Sequence, residues 1–146
     1  MAKRIGILCL AAVLLCTGCR SRQEEDWPVV CQITVTCEQE GSLTRRVYTS
    51  EAKMRQILNG LRSLGQKSTP TIDPSQLMAR TYSITLTHTD NSQRLYQIKG
   101  DRYIRLCRDP WKQVDPERIS DLHLLLQNLP GDSDIEEHRL DIPRYF

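Results

Sequence analysis

Thr81-Tyr82-Ser83-Ile84-Thr85-Leu86-Thr87-His88 is the stretch that decides the fold. Tyr82, Ile84, Leu86 and His88 share one parity, and Thr81, Ser83, Thr85 and Thr87 share the other. Period two of this kind marks a strand buried on one side and wet on the other. Asp90-Asn91-Ser92 then turns the chain into Arg94 to Lys99, and Gly100-Asp101 turns it again into Arg102 to Cys107, giving a three-stranded meander. Upstream, Val29, Cys31, Ile33, Val35 and Cys37 occupy odd positions, with Gln32, Thr34, Thr36 and Glu38 between them. A second one-sided strand is expected there, with Cys31 and Cys37 on its core face. Glu40-Gly41 supplies a turn and Leu43 to Tyr48 the hairpin partner, with Arg45 and Arg46 exposed or near a rim.

Two segments change period. After Ser50, which stands where an N-cap belongs, Met54, Ile57, Leu58, Leu61 and Leu64 recur at helical spacing until Gly65, predicting a helix over about 51–64. Asp115-Pro116 pairs an N-cap residue with proline at the first helical position. Ile119, Leu122, Leu125, Leu126 and Leu129 follow as one stripe, and Pro130-Gly131 ends it. Residues 66–79, with Pro70 and Pro74, read as a long surface connection pinned by Leu77 and Met78. The element order is ββαβββα, and runs of hairpin-connected strands with two one-sided helices predict an α+β domain. Its mainly antiparallel sheet should carry both helices on one face.

The N-terminus has a different character. Lys3 and Arg4 precede the apolar stretch Ile5 to Cys16, and the segment closes as Leu14-Leu15-Cys16-Thr17-Gly18-Cys19. As a helix the apolar stretch would reach roughly 18 Å, short of the ~30 Å hydrocarbon core, so a removable export signal fits better than a membrane span. The closing run resembles the lipobox of bacterial lipoproteins, with Cys16 where that pattern usually carries leucine. The resemblance covers only the N-terminus. It implies cleavage before Cys19, a diacylglyceryl group on the Cys19 sulfur, and a protein held at the cell membrane, facing outside the cytoplasm. Residues 1–18 are then the signal peptide, 19–28 the lipidated N-terminus and polar tether, 29–130 a single domain, and 131–146 an acidic, mostly disordered tail. Acyl chains at ~0.8 kcal/mol per buried methylene hold the chain without a further membrane element.

Composition narrows the function. The chain has 20 Lys and Arg against 18 Asp and Glu, and Lys3 and Arg4 account for the whole excess, so a nucleic-acid partner is not expected. Charge is uneven: residues 80–112 are mostly basic, and 132–141 are mostly acidic. Beyond the signal and its acceptor, Cys31, Cys37 and Cys107 remain. An odd count argues against a disulfide scaffold. Free, buried thiols acting as small hydrophobes are the expectation, and pairing of Cys31 or Cys37 with Cys107 is the alternative. Cys107 beside Arg105 and Arg108 also suits a reactive thiol, although a structural strand-end residue covered by Trp111 is the simpler reading.

No phosphate loop, zinc-finger cysteine pair, His-Glu-x-x-His or nucleophile elbow occurs, so no catalytic residue, metal ligand or cofactor is assigned. His88, His123 and His138 lie far apart and read as surface or hydrogen-bonded interfacial residues. Trp111 is expected as a core plug between meander and second helix, and an interface anchor is its other reading. The hydroxyl-bearing Thr34, Thr36, Thr81, Ser83, Thr85 and Thr87 should form the side of the sheet left uncovered, flanked by Arg94, Arg102 and Arg105. A solvated threonine ladder is the plain interpretation of that face, and a binding face is the functional one. The sequence thus points to a small lipid-anchored module acting by contact, whether accessory, inhibitor-like or ligand-sensing, on an envelope protein or ligand. An envelope-acting enzyme whose site forms only on folding and a thiol-redox protein are the competing classes.

Overall fold

The computed structural model describes residues 29–138; the signal, Cys19, the tether and residues 139–146 lie outside the described residues. The elements are β1 (Val30–Gln39), β2 (Ser42–Tyr48), α1 (Glu51–Arg62), β3 (Thr81–His88), β4 (Gln93–Lys99), β5 (Tyr103–Leu106), β6 (Lys112–Gln113), α2 (Pro116–Asn128) and β7 (Ser133–His138). A short 3-10 turn at Pro74–Gln76 interrupts the long connection. One antiparallel sheet of seven strands runs in the order β6-β5-β4-β3-β1-β2-β7. The fold is α+β, as the alternating strands and two apolar stripes imply.

Side-chain parity places the core. Ile33 pairs with Leu86, Val35 with Ile84 and Cys37 with Tyr82 across β1 and β3. Tyr96 and Ile98 of β4, Ile104 of β5 and Tyr48 of β2 continue the same face. Against it pack Met54, Ile57 and Leu61 of α1 and Ile119, Leu122 and Leu126 of α2, in a single apolar cluster. The helices also touch each other. A Cβ added at Gly60 would lie 2.8 Å from Leu122 Cδ1 and 3.4 Å from Leu125 Cδ2, so the absent side chain permits their close crossing. The β1–β2 turn has positive φ at both Glu40 (51°) and Gly41 (78°), the two-residue geometry whose twist matches a hairpin.

Contacts distant in sequence close the helix ends. Asp115 caps α2 by accepting from Glu117 N at 3.0 Å, as its Asp-Pro start predicts. The α1 start differs from expectation: Ser50 occupies the cap position, but its side chain makes no capping bond. The Asp132 carboxylate accepts instead from Ser50 N at 2.9 Å and Thr49 N at 2.8 Å, with Lys53 Nζ at 3.0 Å. At the C-terminal end of α2, Arg46 Nη1 donates to Leu126 O, Gln127 O and Leu129 O at 2.9, 3.1 and 3.4 Å. The Tyr48 hydroxyl adds a bond to Leu129 O at 2.8 Å. Arg46 stays a third exposed, near the rim as expected, yet reaches under the helix end. It shares the helix-side parity of Tyr48 and supplies cationic donors where helix carbonyls lack partners.

Three other expectations, for the cysteines, the tail and Trp111, are not met. The register of β1 shifts between Val30, opposite His88, and Gln32, opposite Thr87. This bulge inserts Cys31 as an extra residue, so Val30 packs toward the core while Cys31 is exposed, its thiol 3.4 Å from Thr87 O. Cys31 and Cys37 do not share a face, and buried thiols were expected where Cys31 and Cys107 are in fact exposed and only Cys37 is half-buried. All three are free, so neither pairing with Cys107 forms. Residues 133–138, placed in the expected disordered tail, form β7 along β2, from Val47–Ser133 to Ser42–His138. Trp111 lies outside the core cluster, with the Arg105 guanidinium 4.6 Å from its ring centre.

A hydroxyl-lined candidate binding face

Both helices occupy one side of the sheet, and the opposite side carries the hydroxyl ladder. Thr34 faces Thr85 and Thr36 faces Ser83 across β1 and β3, with Thr87 opposite Gln32 and Thr81 opposite Glu38. Thus Thr34, Thr36, Thr81, Ser83, Thr85 and Thr87 all share the parity opposite the core, and each is half-buried. The same pairing continues sideways. Ser83 meets Gln97, Gln97 meets Arg105, and on the other flank Thr36 meets Arg45. One row therefore reads Arg105, Gln97, Ser83, Thr36, Arg45 and, on the edge strand, Ile135, with a guanidinium on either side of the amide and hydroxyl groups.

A groove of about 410 Å³ opens on this face, lined by Gln32, Thr34, Thr36, Leu43, Arg45, Thr85, Thr87 and Gln93. Thr81 and Ser83 lie on the face but outside the groove lining. Each threonine offers one donor and two acceptor lone pairs, and each glutamine both donors and acceptors, so the floor adapts to partner groups of either kind. Arg45 adds a fixed positive charge, whereas among the described side chains the lining has no His, Cys, Asp or Glu to move a proton or coordinate a cation. Among the described residues no group of three or more His, Cys, Asp or Glu side chains could hold a metal ion.

One edge of the face is ordered by side-chain bonds. Arg105 Nε donates to Gln97 Oε1 at 2.6 Å while its guanidinium stacks over Trp111. Trp111 Nε1 is buried without a hydrogen-bond partner. Of the three basic residues expected to flank the face, Arg105 does so. Arg94 does not, because it pairs with Leu86 and shares parity with Tyr96 on the helix side. Arg102 precedes β5 and lies beside Asp101 at 3.7 Å.

Sequence parity missed Gln32, Leu43, Arg45 and Gln93 as groove residues. The signal was present for Gln32, which alternates with Ile33, but β2 has too few apolar residues to reveal which parity faces out. Comparison with family models, curated proteins and solved structures returns no match. Among the described residues no helix is long and apolar enough to cross a membrane.

Proposed function

We propose that this chain is a lipid-anchored extracytoplasmic binding module that presents the open sheet face to a partner in the cell envelope. The observation that carries the reading is the asymmetry of the sheet: both helices cover one side, and the other presents a central run of hydroxyl and amide side chains, interspersed with Leu43, Val47 and Leu95, with a groove and with Arg45 and Arg105 on either side of that run. A lining able to hydrogen-bond but lacking a titrating acid–base pair suits recognition better than proton-transfer chemistry. The lipobox-like run ending at Cys19 supports the location. A ten-residue tether from Cys19 reaches at most about 35 Å when extended, which keeps the domain near the bilayer. Arg45 and Arg105 favour a partner bearing acidic or hydroxyl groups.

Paired substitutions on the face provide the test. Thr34 and Thr85 are direct cross-strand partners, so glutamates placed at both would repel and disturb the sheet. Thr36→Glu with Thr87→Glu avoids direct opposition. This variant should fold and unfold within about 1–2 kcal/mol of the parent, since both sites are half-buried on the helix-free face, while losing partners recovered by crosslinking from detergent-solubilised envelope. Unchanged recovery with an unchanged melt would remove the open face from the function.

A further inference from the structure

On the other side of the sheet, beneath the last turn of α2, a cavity of about 190 Å³ lies between the helix end and the strands β1, β2 and β3. Arg46 and Arg80 both line it, and among the described side chains no carboxylate does. We propose that this cavity binds a small organic carboxylate between the two guanidinium groups.

The two arginines are held differently. Arg46 is fixed through Nη1 by the three carbonyls at the end of α2, and its Nε stands 4.0 Å from Asp134. Arg80 Nε donates to Gln39 Oε1 at 2.7 Å, which orients the group and leaves both terminal nitrogens outside that bond. Guanidinium groups present several donors in a plane that matches a carboxylate in bidentate fashion.

Among the described side chains the remaining lining adds no negative charge of its own, and the Asp134 carboxylate beside Arg46 lies outside it. Burial pushes the Cys37 thiol and the Tyr82 hydroxyl above their ordinary values, so both are neutral near pH 7 and the charge of the lining is that of the arginines. His123 lies next to the cavity, beyond Tyr82. It packs against Tyr82 with ring centres 5.0 Å apart and the planes tilted by 40°, and its Nε2 is buried without a hydrogen-bond partner. Burial first, and then the positive charge of Arg80, lower its pKa. A bound anion would offset that field.

Size and walls select the kind of anion. At ~30 Å³ per water the cavity holds about six water volumes, below the range of drug-sized ligands. Val35 and Leu126 give it apolar walls, which suit a short carbon chain better than inorganic phosphate. An adjoining depression of about 320 Å³ shares Cys37, Gln39 and Thr44 and continues to Glu40 and Ser42. That gives the chain end a way out. Because Val35 and Tyr82 have core-side parity, this site is separate from the hydroxyl face, and either can fail without the other.

Isothermal titration of the full chain in neutral detergent tests the proposal, using sodium butyrate against butyramide, with sodium chloride holding ionic strength constant. Butyrate should give a saturable isotherm and butyramide none. Arg80→Gln should weaken butyrate about tenfold, the loss expected for hydrogen bonds to a charged group, and Arg80→Lys should restore part of it. Gln127 is an exposed lining residue, so Gln127→Glu provides a second variant that keeps the fold while placing a competing carboxylate at the wall, and it too should weaken binding. Equal binding of butyrate and butyramide, no saturable butyrate binding, or full affinity retained in both Arg80→Gln and Gln127→Glu would overturn the site.

Discussion

At the scale of single residues, stability is concentrated where one side chain satisfies backbone groups from another part of the chain. Asp132, just before β7, closes the start of α1, more than eighty positions away in sequence. The Ser50 and Thr49 amides, and then Lys53, hold its carboxyl well below the usual carboxylate range. A depressed carboxylate contributes stability that is fully present above the unfolded value of about 4 and is lost as pH falls toward the folded value. Asp132→Asn should therefore melt below the parent at pH 7. Below about pH 4 the gap should narrow as the parent loses the contribution. Melting curves of both proteins from pH 7 to pH 3 provide the check, and a gap independent of pH would show that the charge of Asp132 has no part in the cap.

At the scale of elements, α2 illustrates how one stripe fixes a helix on the sheet. Leu126 is 2% exposed within the core cluster, while Leu124, two residues away, is 54% exposed. Leu126→Ala removes buried methyl groups and leaves a cavity, which costs about 2–5 kcal/mol. Leu124→Ala should change stability by no more than about 0.5 kcal/mol. Denaturant melts measure both, and equal losses would mean that α2 is not docked through its Leu126 face. The stripe was readable from periodicity, as was the Asp115-Pro116 start. The far end was not, because Arg46 and Tyr48, which satisfy the last carbonyls, belong to a strand eighty residues earlier.

At the scale of the whole molecule, the placement of both helices on one side makes the two faces of the sheet chemically distinct. Its hydroxyl face is the proposed partner contact, and the proposed lipid on Cys19 would keep that face within tether reach of the membrane. Cys19→Ser should yield an uncleaved or mislocalised precursor without lipid, because the serine hydroxyl does not replace the thiol as acyl acceptor. Membrane fractionation with a labelled fatty acid reads this directly. A fatty-acid-labelled, membrane-bound Cys19→Ser product would remove the lipoprotein reading.

The sequence by itself determined the α+β class, the two helices and the parity of β3, because period-two and helical apolar patterns record which side chains leave water. It determined the hydroxyl face for the same reason, since Thr34, Thr36, Ser83 and Thr85 alternate with buried neighbours. Only the tertiary structure decided the bulge at Cys31, the side taken by Arg94, and the strand 133–138. The bulge and the last strand depend on pairing with a distant segment, whereas Arg94 pairs with Leu86 in the neighbouring hairpin strand. Cys31 looked core-facing until the register with β3 shifted by one residue, and Ser133-Asp134-Ile135-Glu136-Glu137-His138 pairs along β2 without an apolar face of its own to announce it. Backbone hydrogen bonds and long-range arginine and aspartate contacts leave no periodicity in the chain, whereas burial of apolar side chains does.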